Sequence, residues 1–201
     1  MFAIRAAQVI DGLHDQALRD ATIVVEGERI AQVGLSAEVE LPADIEVIDV
    51  GDKTVLPGLI DAHVHIHAAG EATQMHAYAL QQVTQTQGML ALQGYAYGMA
   101  TLQMGFTTLR SVGSPAYVDV ALRDAINRGI VSGPRLKVSG QGLTITGGHM
   151  DGRLWAPEVT ISGRTGICDG PWECRKAARE QIKRGVDLIK INAAVSLYST
   201  D

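Results

Sequence analysis

The sequence predicts an α/β protein in which a small β-module, residues 1–56, precedes a repeating βα region with a parallel sheet, residues 57–201. Two observations support this prediction of a folded α/β protein with two regions. Short strands separated by turn residues fill the first segment, whereas apolar strands alternate with segments of helical length in the second. In addition, 46% of the 201 residues are hydrophobic, which is enough to form a packed core.

The β-module is predicted to contain short strands and one hairpin. A turn at Glu26-Gly27-Glu28-Arg29 separates two apolar runs, and this arrangement favours a β-hairpin. The predicted strands are Phe2 to Ile10, Ala21 to Val25, Ile30 to Gly34, Glu46 to Val50 and Thr54 to Leu56. No residue pattern in this module indicates chemical function, and its acidic side chains fit a solvated face.

The first strand of the second region carries histidines. It begins after a turn signal at Pro57-Gly58 and continues as Leu59-Ile60-Asp61-Ala62-His63-Val64-His65-Ile66-His67. Side chains two residues apart on a strand point to the same side, so we expect His63 and His65 to project together from its C-terminal end. Two imidazoles placed in this way form half of a metal site.

Helices and a second strand follow the histidine strand. Residues from Ala72 to Met104 are predicted to form one or two helices that end before Gly105. A strand from Phe106 to Gly113 and a helix from Tyr117 to Arg128 come next. The apolar residues expected to pack the first helical segment are spaced three or four apart, and they are Met89, Leu92, Ala96, Met99 and Leu102.

A long glycine-rich connection, Gln141 to Gly170, follows the third predicted strand, Arg135 to Gly140. A loop of this length at the C-terminal end of a strand is more often functional than structural. A helix from Pro171 to Arg184 and a fourth strand from Val186 to Asn192 complete the predicted elements.

Lys190 is an unusual residue because it lies within the apolar fourth strand. An ammonium group there loses hydration, which favours the neutral amine. A neutral lysine can react with carbon dioxide to give a carbamate, whose two oxygens and negative charge suit a ligand that bridges two metal ions. In the alternative interpretation, Lys190 pairs with a carboxylate or reaches water. The histidine strand upstream is what favours the metal-site interpretation.

Charge and hydropathy exclude several classes of protein. The net charge of −5 argues against a nucleic-acid surface or a polybasic membrane patch, and favours small-molecule chemistry. No apolar run approaches the roughly 20 residues of a membrane helix. The start of the chain lacks the pattern of a signal peptide, so we expect a cytoplasmic protein, although a removed leader is compatible with the sequence.

The two cysteines, Cys168 and Cys174, do not form a CxxC pair. We expect ordinary thiols, with a disulfide or a metal role as the less favoured alternatives, because structural zinc usually needs closely spaced pairs.

The motifs described above resemble the metal-dependent amidohydrolase superfamily. The most specific segment is Leu56 to His65, with Asp61 two residues before the first histidine. Further segments resemble the branch that contains prolidase-like dipeptidases, related carboxypeptidases and imidazolonepropionase-like proteins; they are Arg135 to Gly140, Thr146 to His149 and Leu188 to Ile191. The similarity covers essentially the whole chain.

The resemblance implies the N-terminal part of a (β/α)8 TIM barrel, about four βα units, preceded by a small β-sandwich module. It also implies two divalent metal ions, with zinc expected, at the C-terminal mouth of the barrel. His63 and His65 match the first-strand metal ligands, and Lys190 matches the fourth-strand lysine that bridges the metals as a carbamate. Asp61 would support these ligands or have a structural role at the strand end.

Two further histidines match positions near the expected pocket. His149 matches a family position near the substrate, so we expect it to contact a substrate carboxylate or carbonyl, with a structural hydrogen bond as the alternative. His67 shares the period of His63 and His65 and would either reach the substrate or tilt away where the strand ends. The remaining family ligands, two histidines and a catalytic aspartate, have no counterpart, so we expect no catalytic residue within this chain.

The function that the resemblance implies is hydrolysis of an amide or peptide-like C–N bond in a small-molecule or dipeptide-like substrate, as in dipeptidases and carboxypeptidases. The runner-up is a cyclic amidase or deaminase of the same superfamily. A non-catalytic alternative is a fragment or a half-barrel that completes a partner. Because a whole barrel takes roughly 250 residues, we expect an incomplete barrel that needs a missing C-terminal half or a homo-oligomer.

Overall fold

The computed structural model describes residues 1–68, 80, 83–151, 156, 158–159 and 163–193. The chain divides into two compact units, Met1–Gly58 and Leu59–Asp201. No helix in the described ranges is long and apolar enough to cross a bilayer. Part of the predicted helical segment before α1, residues 72–79 and 81–82, lies outside the described residues.

The first unit contains one five-stranded sheet. Its strands are β1 (Phe2–Val9), β2 (Leu18–Glu26), β3 (Arg29–Leu35), β4 (Glu46–Asp49) and β5 (Thr54–Val55). The order is β3-β2-β1-β4, and β5 also pairs with β1. The predicted hairpin is confirmed, since β2 and β3 are antiparallel and Gly27, with φ of 58°, supplies the turn conformation that glycine favours. The β-sandwich stays a prediction.

The second unit is built on a parallel sheet of three strands in the order β6-β7-β8. The strands are β6 (Leu59–Val64), β7 (Phe106–Ser111) and β8 (Arg135–Val138), and the helices are α1 (Gln87–Gln103), α2 (Val118–Asn127) and α3 (Gly170–Lys183). Parallel strands connected by helices confirm the predicted βα pattern and give a partial TIM-barrel-like unit. Its buried core lies between sheet and helices and comprises Ile66, Leu109, Val120, Leu122, Leu136 and Val138.

Helix α1 packs through a different face from the predicted one. Its buried residues include Gly94 and Gly98, whereas Met89 and Leu92 are 49% and 65% exposed. A Cβ on Gly94 would lie 3.5 Å from the Ile66 carbonyl oxygen, and one on Gly98 would lie 3.5 Å from Ile66 Cδ1. The helix therefore lies close to Ile66, just after β6, at both glycine positions. The prediction from apolar spacing was wrong, because that spacing does not register packing by glycine.

The predicted fourth strand, Val186 to Asn192, does not form a regular strand. The N–H groups of Asp187 and of the residue after it both donate to the Val138 carbonyl oxygen, at 2.8 and 3.4 Å. Further along, the segment pairs through a single parallel bridge between Leu143 and Ile191. In a regular parallel pair the backbone hydrogen bonds are evenly spaced, and two N–H groups that share one carbonyl oxygen interrupt this spacing. The segment therefore lies beside β8 but does not form a regular fourth strand of the sheet.

Candidate metal centre

His63 and His65 lie side by side at the C-terminal end of β6. The strand ends at Val64, so His65 is the first residue after it. The ring centroids of the two histidines are 5.7 Å apart, with the rings at 68° to each other. The period-two pattern therefore places the two imidazoles together, as the sequence predicts.

His65 is oriented by a hydrogen bond to the neighbouring strand. Its Nδ1 lies 3.0 Å from the carbonyl oxygen of Gly113, which follows β7. A carbonyl oxygen only accepts, so Nδ1 carries the proton and donates. The tautomer that results leaves the lone pair of Nε2 available for a metal ion, and metal-binding histidines are commonly held in this way.

Gly113 is required for this contact. Its φ of 136° is a conformation that side-chain-bearing residues rarely adopt. A Cβ at this position would lie 3.2 Å from His65 Cε1 and 3.4 Å from His65 Nδ1. The absence of a side chain thus allows the backbone to approach the imidazole closely enough to bind it.

His63 is held by its backbone and by nearby charges. Its N–H donates to Asp61 Oδ1 at 2.9 Å, which fixes the backbone before the two imidazoles. Burial, together with the positive charges of Lys190, His65 and Arg110, lowers the pKa of His63, and Asp61 opposes this shift. A lowered pKa keeps the imidazole neutral, which is the form that binds metal ions.

Arg110 is a site residue that the sequence analysis missed. It lies on β7, and its Nε donates to the Ala62 carbonyl oxygen at 2.6 Å. The guanidinium therefore lies beside the end of β6 and contributes to the lowered pKa of His63. An arginine in a strand carries no sequence signal for such a role, because the partner lies on the neighbouring strand.

Lys190 reaches the same region from the segment after α3. Its carbonyl oxygen accepts from the Leu143 N–H at 2.8 Å, and a Cβ on Gly142 would lie 3.3 Å from Lys190 Cγ. The side chain is half-buried, and its charge lowers the pKa of both His63 and His149. Among the described residues, no carboxylate forms an ion pair with Lys190.

His149 lies in the loop after β8, which is fixed by hydrogen bonds at several points. Thr146 donates to the Asp169 carboxylate through its N–H at 3.1 Å and its hydroxyl at 2.5 Å, and the Gly147 N–H donates to Asp151 at 3.0 Å. Burial, followed by the charges of Lys190 and His65, lowers the pKa of His149. The loop therefore places this half-buried imidazole within electrostatic range of both residues.

His67 is enclosed by the protein. It is 1% exposed, and its ring centroid lies 6.4 Å from that of His65. Burial, with a smaller contribution from His65, lowers the pKa of His67 to about 4. The ring is therefore neutral near pH 7 and packs behind the two exposed histidines.

The donor groups fit a divalent metal ion, but they form only part of a ligand set. The lowered pKa keeps His63 neutral, and the hydrogen bond from His65 Nδ1 to the Gly113 carbonyl oxygen leaves Nε2 as the nitrogen of His65 that can bind a metal. Within the described ranges, no group of three or more His, Cys, Asp or Glu side chains is arranged to hold a metal. Zinc in proteins usually takes four ligands, so a zinc ion held by these two imidazoles needs further donors.

Comparison with known proteins identifies the family of this chain. The sequence model of the amidohydrolase family matches residues 54–200. Ochratoxinase from Aspergillus niger is 29% identical, and the match covers 92% of this chain and 41% of the ochratoxinase. Imidazolonepropionase from Paenarthrobacter aurescens strain TC1 is 31% identical, and the match covers 73% of this chain and 33% of the imidazolonepropionase. The structure of a Xaa-Pro dipeptidase with bound methionine in its active site has a TM-score of 0.81 and 33% identity, and the match covers 94% of this chain and 46% of that chain.

These matches confirm the predicted superfamily and its branch of prolidase-like and imidazolonepropionase-like proteins. The chain spans less than half the length of each of these relatives, at 41%, 33% and 46%.

Proposed function

Because this chain belongs to the amidohydrolase family, we propose that it forms part of a metal-dependent hydrolase that cleaves an amide or peptide-like C–N bond. The observation that carries the proposal is the hydrogen bond from His65 Nδ1 to the Gly113 carbonyl oxygen. It fixes the tautomer that a metal ligand needs, and His63 stands beside it. We propose dipeptide-like substrates, in keeping with the similarity to a Xaa-Pro dipeptidase.

We assign three residues of this chain to the metal centre: His63, His65 and Lys190. The imidazoles would bind through their neutral nitrogens, and Lys190 would bridge two ions, zinc in our proposal, as a carbamate. When bound, such ions polarise the scissile carbonyl and supply a nucleophile from water at neutral pH. The lack of a carboxylate partner for Lys190 among the described residues supports this role, because an ion pair would favour the ammonium form and only the neutral amine reacts with carbon dioxide.

The other residues of the site position these groups and the substrate. Asp61 holds the backbone N–H of His63, and His67 fills the space behind His65. We assign His149 to the substrate, because its loop is anchored and its imidazole faces the charge of Lys190. Contact between His67 and the substrate stays a prediction.

A second candidate is a half-barrel that holds no metal by itself and acts as a partner or scaffold. It is favoured by the lack of a metal-holding group of three or more His, Cys, Asp or Glu among the described residues. In this case the remaining ligands would come from a second chain or from further sequence. The two candidates differ in the metal content and the activity of the natural full-length protein.

The test is to measure zinc content and hydrolysis in the natural full-length protein, with His65→Ala and His14→Ala as a matched pair. His14 is an exposed histidine of the first unit that bonds to Asp11, so its loss should leave the centre intact. We expect about two metal ions per chain, and His65→Ala should lose metal together with hydrolysis of a dipeptide panel. Full metal content and activity in His65→Ala would contradict the proposal, and cleavage of cyclic amides instead of dipeptides would favour the runner-up substrate class.

A further inference from the structure

Cys168 and Cys174 lie next to each other in the second unit. Cys168 comes just before α3 and is 2% exposed, whereas Cys174 lies near the start of that helix and is half-buried. Their sulfur atoms are 2.9 Å apart, and both cysteines are free thiols. A disulfide bond is about 2.05 Å long, so the sulfurs need to approach by less than about 1 Å to form one.

Hydrogen bonds on both sides of Cys168 fix this arrangement. The Cys168 N–H donates to the Thr144 carbonyl oxygen at 2.8 Å. The next residue, Asp169, donates its N–H to Glu173 Oε2 at 2.8 Å and accepts two hydrogen bonds from Thr146. The chain is therefore folded back onto the first turns of α3 without any covalent link, and the two thiols are held together by the fold.

The thiol pair belongs to an apolar cluster beneath the Lys190 segment. The cluster comprises Leu143, Cys168 and Ala177 as buried members, with Cys174, Ala178 and Ile189 packed against it. Leu143 donates its N–H to the Lys190 carbonyl oxygen, and Ile189 directly precedes that lysine. A disulfide within the cluster would therefore restrain residues that pack against the segment of Lys190.

We propose that Cys168 and Cys174 form a reversible intrachain disulfide by exchange with a low-molecular-weight disulfide. The Cys174 thiolate attacks one sulfur of the oxidant, a mixed disulfide forms, and one small thiolate leaves. Cys168 then loses its proton and attacks Cys174 Sγ, which expels the second small thiol. In total, two protein thiols are oxidised to one disulfide, and one small disulfide is reduced to two small thiols.

The different exposure of the two cysteines sets the order of attack. Cys174 is the more accessible sulfur, whereas Cys168 is enclosed. Burial and the hydrogen bond to Cys174 also raise the pKa of Cys168 to about 11, which disfavours its thiolate in the reduced state. Cys168 therefore acts as the second, resolving thiol, which needs only the adjacent mixed disulfide as its target.

The experiment compares the folded chain with the same chain in guanidinium chloride, using glutathione buffers of graded redox ratio. Samples are quenched with acid, treated with N-ethylmaleimide and digested with trypsin. Cleavage after Arg164 and Arg175 releases residues 165–175, one peptide that holds both of the chain's cysteines. In the disulfide form, this peptide carries no N-ethylmaleimide and is lighter by two hydrogen atoms than the reduced peptide. We expect the folded chain to form the disulfide at an oxidant level about tenfold lower than the denatured chain requires.

Labelling of both cysteines in the folded chain, at an oxidant level that already closes the bond in the denatured chain, would overturn the proposal. Single substitutions provide the matched controls. In Cys168→Ser, Cys174 should accumulate a glutathione adduct, whereas in Cys174→Ser the buried Cys168 should remain without one. An adduct on Cys168 that forms as fast as that on Cys174 would overturn the order of attack.

Discussion

Replacing Gly113 with alanine should weaken metal binding through a residue that is not itself a ligand. The new Cβ would lie 3.2 Å from His65 Cε1 and 3.4 Å from its Nδ1, so the imidazole must move away from the Gly113 carbonyl oxygen. Loss of a partner that orients a ligating histidine typically costs about 10- to 100-fold in metal affinity. Alanine at a φ of 136° should also lower the free energy of unfolding by about 1–3 kcal/mol.

Gly105→Ala separates these two effects. Gly105 also has a positive φ, 94°, but a Cβ there would meet no atom within 4 Å. Both variants should lose stability in denaturant titrations, whereas Gly113→Ala alone should lose zinc affinity in competition with a chromophoric chelator. The natural full-length protein is the sample for both measurements. Equal zinc affinities in the two variants would refute the argument that the Gly113 contact orients His65.

Three further predictions concern the lysine, the loop histidine and the ion pair between Arg123 and Asp187. Lys190→Ala should reduce metal content from about two ions toward one, measured by elemental analysis, and the exposed Lys176→Ala should not. His149→Ala should raise KM for substrates with a free carboxylate about tenfold at unchanged metal content; an unchanged KM would contradict the assignment. Burial raises the pKa of Asp187, but hydrogen bonds from Arg123 and from the Val138 N–H have the opposite and larger effect. The pKa of Asp187 is therefore lowered. Because Asp187 is exposed to solvent, Asp187→Asn should cost only about 1 kcal/mol of unfolding free energy at neutral pH. The difference in unfolding free energy between the unmodified protein and Asp187→Asn, measured by denaturant titration, should shrink as the pH falls from 3.8 through the lower pKa of the folded state. A difference that does not change with pH would contradict this prediction.

The sequence was sufficient to predict the βα pattern and the pairing of the two exposed histidines. Both follow from short-range periods: turn residues bound the strands, and a period of two places His63 and His65 on one side. The hydrogen bond that fixes the His65 tautomer was not predictable in this way. Its partner, Gly113, is 48 residues away and has no side chain to signal a role.

The errors of prediction have related causes. The segment around Ile189 has the apolar character of a strand, yet its two consecutive hydrogen bonds to Val138 interrupt the ladder. Helix α1 packs through glycines such as Gly94, which a hydrophobic pattern does not weigh. Arg110 joins the site through the Ala62 carbonyl oxygen on a neighbouring strand. In each case the deciding contact is with a distant part of the chain, so no local pattern contains it.

The most direct test of the metal centre is anomalous diffraction at the zinc edge from crystals of the natural full-length protein. We predict a zinc peak about 2.0–2.1 Å from Nε2 of His65, with His63 bound to the same ion and additional density on Lys190 Nζ that bridges to a second zinc. Absence of zinc beside His65, or coordination of His65 through Nδ1 with the Gly113 hydrogen bond broken, would contradict the account.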